Sequence, residues 1–191
     1  MHITKDNIHG FIKYKKLLFY NMDVTKIDYI PEGITDIECW NNELTKLPKL
    51  PNSLNFLDCS GNKLTSLPIL PENLEHLNCY DNKLTKLPKL PNSLKNLECD
   101  YNKLTKLPKL PDGLYGLQCN NNNLTSLPKL PESLKYLDCN NNKLTELPKL
   151  PDELRHLYCF DNNLPYTITK DNIKEHNKLL KRKEILKRIC T

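Results

Sequence analysis

Residues 54–73, Leu-Asn-Phe-Leu-Asp-Cys-Ser-Gly-Asn-Lys-Leu-Thr-Ser-Leu-Pro-Ile-Leu-Pro-Glu-Asn, decide the fold, because the same frame returns every 20 residues. Cysteine stands at 39, 59, 79, 99, 119, 139 and 159, and asparagine three residues later at 42, 62, 82, 102, 122, 142 and 162. Seven registers match without an insertion. Written once, the unit is L-x-x-L-x-C-x-x-N-x-L-T-x-L-P-x-L-P-x-x, and a fixed period of this length signals a stacked repeat architecture. Leu57 and Cys59 lie two apart, which puts both on one face of a short strand. One strand per repeat, stacked in register about 4.8 Å apart, makes a parallel sheet with Leu and Cys turned into a continuous core.

The rest of the unit reads as the return path. Each Asn falls where the chain leaves its strand, so its amide can replace the ladder bonds that the turning backbone gives up, in its own repeat and the next. Prolines three apart, as at Pro48 and Pro51, remove two amide donors and favour an extended, polyproline-like convex side. Fourteen prolines against five glycines also exclude a helical bundle. The fold class is therefore a repeat solenoid, with a parallel sheet on the concave face. A single unit cannot bury both faces of its strand, so helical caps are expected at both ends.

The unit matches the leucine-rich repeat signature, L-x-x-L-x-L-x-x-N/C-x-L with a period of 20 to 29, over roughly residues 31–165. Its short period and L-P-x-L-P half resemble the repeats of secreted bacterial effectors of the YopM and IpaH type, and similar arrays in giant DNA viruses of amoebae. Two departures matter. Cys stands where those effectors usually carry an aliphatic residue, and the chain has no room for the ubiquitin-ligase domain that some of them append. The resemblance implies a scaffold that acts inside a host cell, and it implies no catalytic activity.

Three segments follow: an N-terminal helical cap over 1–30, seven repeats over 31–165, and a basic C-terminal capping helix over 166–191. Ile8, Phe11, Ile12 and Lys15 recur at helical spacing and place a helix over Asp6 to Tyr20, followed by a degenerate turn from Val24 to Ile30. The opening Ile3-Thr4-Lys5-Asp6-Asn7-Ile8 recurs as Ile168-Thr169-Lys170-Asp171-Asn172-Ile173, and should again start a helix, running to about Arg188.

At 191 residues, 38% hydrophobic and 27% charged, the chain fits one soluble domain. No segment approaches the roughly 18 apolar residues of a membrane span, and the opening MHITKDNIHG lacks the apolar run of a secretory signal. A reducing compartment is expected: the cytoplasm, that of a host cell on the resemblance, with the nucleus as alternative. The net charge of +5 is uneven: residues 164–191 carry +5, residues 1–30 carry +2 and residues 31–163 carry −2. The run Lys181-Arg182-Lys183 with Lys187 and Arg188 reads as a solvated helix face, a phosphate contact, a nuclear address or a membrane contact. Nucleic-acid binding by the slightly acidic repeat body is disfavoured.

Chemistry is hard to find. Seven inward thiols behave as small hydrophobes. A disulfide ladder is disfavoured because in-register neighbours point the same way, and zinc needs four converging ligands rather than one row. Cys190 is a terminal thiol without an evident base. His76 and His156 point outward and have no repeated acidic partner. No catalytic residue, metal or cofactor is expected, and the protein is read as a non-enzyme.

Function then falls to the strand positions that the repeat leaves free, which face solvent on the sheet. Trp40, Phe56, Tyr80, Tyr101, Tyr136, Tyr158 and Phe160 are candidate anchors, with His76 and His156 among them, and Asp58, Glu98, Asp100 and Asp138 make the middle acidic. Aromatics rimmed by acids suit a protein partner with a basic or polar segment; the competing reading is ordinary cross-strand pairing. Lys46, Lys49, Lys86, Lys89, Lys106, Lys109, Lys129 and Lys149 lie on the opposite side and favour solubility. The alternative function is an adaptor or nuclear factor working through the basic C-terminal helix. Oligomeric state is left open.

Overall fold

The structure, a computed structural model, describes residues 1–189. Cys190 lies outside the described residues. Seven three-residue strands, β5 (Asp36–Glu38), β6 (Phe56–Asp58), β7 (His76–Asn78), β8 (Asn96–Glu98), β9 (Gly116–Gln118), β10 (Tyr136–Asp138) and β11 (His156–Tyr158), pair in parallel at a register of 20 residues. Leu57, Leu77, Leu97, Leu117 and Leu137, together with the cysteines two residues on, are buried. The convex leucines, such as Leu84, Leu87 and Leu90, close the same core from the other side. The return segments of the repeats contain no helix among the described residues, as two prolines per turn dictate.

The asparagine column ties the turns together. Asn62 Oδ1 accepts the Leu44 N–H of the preceding turn at 3.0 Å. Its Nδ2 donates to the carbonyls of Cys39, Cys59 and Ser60 at 2.9, 3.1 and 3.1 Å. Asn82, Asn102, Asn122 and Asn142 repeat this set. The amide thus serves backbone groups that are buried where no strand continues.

The N-terminal cap is not the expected helix. Ile8–Phe11 forms one 3-10 turn, and the chain then makes an antiparallel hairpin of β2 (Ile12–Lys13) and β3 (Lys16–Leu18), with β3 pairing in parallel with β5. The reason is the repeat itself. Leu17 and Phe19 precede Ile37 and Cys39 by 20 residues and are buried in the same core. The Phe19 N–H donates to Glu38 O at 3.0 Å, and Asn42 Nδ2 donates to Phe19 O at 2.7 Å. Sheet registry overrides the local helical spacing of Ile8, Phe11, Ile12 and Lys15, so the solenoid has about eight turns. Below it, β1 (His2–Ile3) pairs in parallel with β4 (Lys26–Ile27), inside the stretch read as a degenerate turn.

The C-terminal cap is the helix α1 (Ile173–Ile189). Asn177 clasps the Leu150 backbone in both directions, accepting its N–H at 2.9 Å and donating to its carbonyl at 2.8 Å. Buried His176 bridges the Tyr166 hydroxyl and Pro148 O at 2.9 and 3.1 Å.

Replacing Asn82 with Ala leaves the Leu64 N–H and the Cys59 carbonyl without these bonds, and is expected to cost about 2–4 kcal/mol in urea unfolding. Asn162→Ala, at the more exposed final turn, should cost clearly less. Equal losses at the two sites would contradict the ladder account.

Candidate functional site

Strand alternation sorts the free positions into three rows. One runs Asp36, Phe56, His76, Asn96, Gly116, Tyr136, His156; the next runs Glu38, Asp58, Asn78, Glu98, Gln118, Asp138, Tyr158. Just past the strands lie Trp40, Ser60, Tyr80, Asp100, Asn120, Asn140 and Phe160. Of the residues read as candidate anchors, all but Tyr101 fall in these rows, in separate groups, and Tyr101 lies in the turn that follows them.

At the N-terminal end Trp40 stacks on Tyr20, ring centroids 4.6 Å apart and planes within 1°. Tyr20 ends the stretch whose local spacing predicts a helix; its position 20 residues before Trp40 is the signal that reveals it. Phe56 leans on His76 at 6.1 Å, and His76 Nδ1 meets Asn96 Nδ2 at 3.1 Å. Tyr80 packs on Tyr101 at 5.2 Å. At the far end Tyr136 touches both His156 and Tyr158, at 5.7 and 5.8 Å. Phe160 stands apart at the edge, 57% exposed.

Between the aromatic groups lies a dip. A Cβ on Gly116 would sit 2.7 Å from Asn96 Oδ1, so a side chain here would require the Asn96 amide to move aside. The adjoining rows carry the acids. Asp58 accepts the Ser60 N–H and hydroxyl at 3.0 and 2.6 Å and the Asn78 amide at 3.3 Å. Asp138 accepts the Asn140 N–H and the Asn120 amide, both at 3.1 Å.

Asp100 corrects the expectation of an exposed acid: it is 4% exposed, with Oδ1 taking the Asn120 N–H at 2.7 Å. That inward turn sets only two backbone hydrogen bonds, from Asn120 and from its own amide, against desolvation and the neighbouring Asp138 and Glu98 charges, and the carboxyl is pushed up to about 7. Burial, with Asp58 nearby, also raises Glu98. The middle of the face therefore gains negative charge as pH passes neutrality. The cysteines beneath it are inert: burial raises their thiols well out of the reactive range.

Tyr101 is unusual in its backbone. It takes a left-handed conformation, φ +50°, at the position held elsewhere by Asn41, Gly61, Asp81, Asn121, Asn141 and Asp161. Those residue types tolerate the left-handed region; tyrosine does not do so readily.

The comparisons agree with the geometry. The Leucine Rich Repeat family model matches residues 73–97 and 133–157. The chain is a leucine-rich repeat protein. Its solenoid superposes on YopM from Yersinia enterocolitica WA-314 with a TM-score of 0.71 and 40% identity, covering 74% of this chain and 32% of that one. The leucine-rich repeat domain of a Shigella effector gives a TM-score of 0.62 and 40% identity, over 66% of this chain and 58% of the other. YopM from Yersinia pestis, a leucine-rich effector protein, gives 0.69 and 32% identity over 84% and 54%. The repeats thus resemble those of bacterial effectors, and the chain spans about a third of the first structure and just over half of the other two. No curated protein matches the sequence. Among the described residues no His, Cys, Asp or Glu cluster could hold a metal, and no helix is long and apolar enough to cross a membrane.

The sign of the Asp100 effect is fixed by linkage. Its folded value lies above that of an unfolded aspartate, so its contribution to stability is present below about pH 4 and lost as pH rises through about 7. Asp100→Asn should therefore leave stability near the wild-type value at pH 4.5 and raise it by on the order of 2–4 kcal/mol at pH 8, read from urea midpoints. The same change at both pH values would refute the assignment.

Proposed function

We propose that this leucine-rich repeat protein is a non-enzymatic interaction module whose concave face binds a protein partner, with a basic or polar segment of that partner over the acidic middle. One observation carries the reading: aromatic groups at Trp40, Tyr80 with Tyr101, and Tyr136 with Tyr158 alternate along the array with the carboxylates Asp58, Glu98 and Asp138. Exposed rings give large contact area at small entropic cost, and the acids select the sign of the partner's charge. The repeats' likeness to those of bacterial effectors supports action inside a host cell, in its cytoplasm. The basic helix α1 is the weaker site, because its inner residues His176 and Asn177 are engaged in closing the array.

Exchange of Trp40, Tyr80, Tyr136 and Tyr158 for Ala in one chain, with the fold verified by circular dichroism, should reduce capture of the partner from host-cell lysate at least about tenfold. A chain with Lys89, Lys109 and Lys129 changed to Ser on the convex side should retain it. Loss in the convex variant alone would overturn the reading.

Tyr101 offers a second check. In Tyr101→Asn, relief of left-handed strain offsets the lost ring contact, so stability should stay within about 1 kcal/mol of the wild type. Partner binding should nonetheless fall, since the exposed ring is gone. A variant that binds as well as the wild type removes Tyr101 from the surface.

A further inference from the structure

The hydrogen-bond ladder that runs through the array stops abruptly at its C-terminal end. In each preceding repeat, the N–H groups of the Cys, of the residue two beyond it and of the Asn donate to three carbonyls of the next turn. Cys139 donates to Tyr158 O at 2.8 Å, Asn141 to Phe160 O at 3.0 Å and Asn142 to Asp161 O at 3.1 Å. A fourth N–H, that of Leu144, donates to Asn162 Oδ1 at 3.0 Å. In return the next turn donates to two carbonyls: Arg155 and His156 to Lys135 O at 2.9 and 3.1 Å, and Asn163 to Leu144 O at 2.9 Å.

At the last turn this set has no counterpart. Among the described residues nothing accepts from the N–H of Cys159, Asp161, Asn162 or Leu164, and nothing donates to Arg155 O or Leu164 O. Four donors and two acceptors stand in the order that a neighbouring turn would match. They adjoin an open pocket lined by Cys159, Phe160, Asp161, Asn162, Tyr166 and Ile168. The side chains tell the same story: Leu157, Asn162 and Leu164 are partly uncovered, whereas their equivalents Leu137, Asn142 and Leu144 are buried. The C-terminal cap closes the core below this point, where Ile168 O accepts the Cys159 thiol at 3.3 Å, and leaves the edge of β11 open. The opposite edge differs, because there the chain folds back on itself as the antiparallel hairpin of β2 and β3.

We propose that the open edge at β11 and Asn162 is a binding site for an extended polypeptide segment, which adds as a further parallel strand and inserts an Asn side chain toward the Leu164 N–H. The occupant's chemistry follows from what fills the equivalent slot in every earlier turn. It is a segment with an aliphatic residue to cover Leu157, a small apolar residue two positions on, and an Asn three positions after that. Its three carbonyls and its Asn amide oxygen take the four open donors, and its own N–H groups serve Arg155 O and Leu164 O. Strand addition of this kind draws affinity from main-chain bonds and specificity from alternate side chains. The site is independent of the concave face.

A synthetic peptide with the sequence of residues 132–146, titrated under reducing conditions into the full chain, tests this. Saturable one-to-one binding is expected, with slowed hydrogen exchange at the Cys159, Asp161 and Asn162 amides and unchanged exchange at those of Cys99, Tyr101 and Asn102. Peptides carrying Asn142→Ala, or N-methylated at Tyr136, should bind at least tenfold more weakly. Three results would overturn the proposal: no binding at millimolar peptide, equal binding of the altered peptides, or protection away from the β11 edge. A fourth is self-association of the chain, seen by sedimentation, that masks these amides and that the peptide cannot displace; a second copy would then be the occupant.

Discussion

Everything in this molecule depends on a carboxamide placed once per turn. A chain that turns after three strand residues abandons backbone donors and acceptors inside the protein, where each unmet group costs on the order of 1–3 kcal/mol. Asparagine carries one acceptor and two donors at the end of a short stem, and that is the set required: it accepts one N–H and serves one carbonyl of the preceding turn, and serves two carbonyls of its own. Aspartate would lack the donors and glutamine would be a methylene too long. The requirement fixes the period, because the Asn reaches the previous turn only if the turns lie in register.

A fixed period in turn frees the sheet face. Leucine, cysteine, asparagine and proline occupy the positions that hold the turns together, so the rows between them carry Phe, His, Asn, Gly or Tyr without disturbing the stack. The backbone and the recognition surface are thereby separated into different residues of one repeat. Tyr101 is an exception, since it occupies a scaffold position whose left-handed backbone favours Asn, Asp or Gly. A residue that costs the fold something and is half exposed beside Tyr80 is better explained by the surface than by the scaffold.

Most of the architecture could be read from the sequence because the repeat is both local and periodic: strands, core cysteines and the asparagine ladder all follow from one 20-residue frame, and the C-terminal helix from the need to close it. What escaped is where that frame continues in disguise. Leu17, Phe19 and Val24 occupy the positions of Ile37, Cys39 and Leu44, but Met22 replaces the Asn, and the helical spacing of nearby residues is the louder local signal. The twin segments at 3–8 and 168–173 make the lesson sharper. Both use their Asn in the same way, Thr4 N–H to Asn7 and Thr169 N–H to Asn172 at 2.8 and 2.9 Å. Yet one leads into a hairpin and the other into α1, because only the first is followed by a strand that can join the sheet. On the face, alternation assigns the strand residues to their rows, whereas the burial of Asp100 arises from Asn120, 20 residues away, and is invisible in its own repeat.

The two ends show how a one-dimensional array solves one problem in unequal ways. Stacking always leaves two incomplete surfaces, a core and a ladder, and a cap must deal with both. At the N-terminal end both are met within one small cap, where Ile3 and Ile8 are fully buried against the core and the antiparallel strand β2 takes up the ladder of β3. At the C-terminal end the tasks are split. His176 and Asn177 dock the helix against Pro148 and Leu150 and seal the convex core, while the strand edge keeps its donors in solvent. Asp161 is exposed and Asn162 and Leu164 are only partly covered, so water can meet their N–H groups and leaving them open costs the fold little. The same groups remain ordered by the turn behind them, which is the condition under which a main-chain ladder can accept another strand without first reorganising.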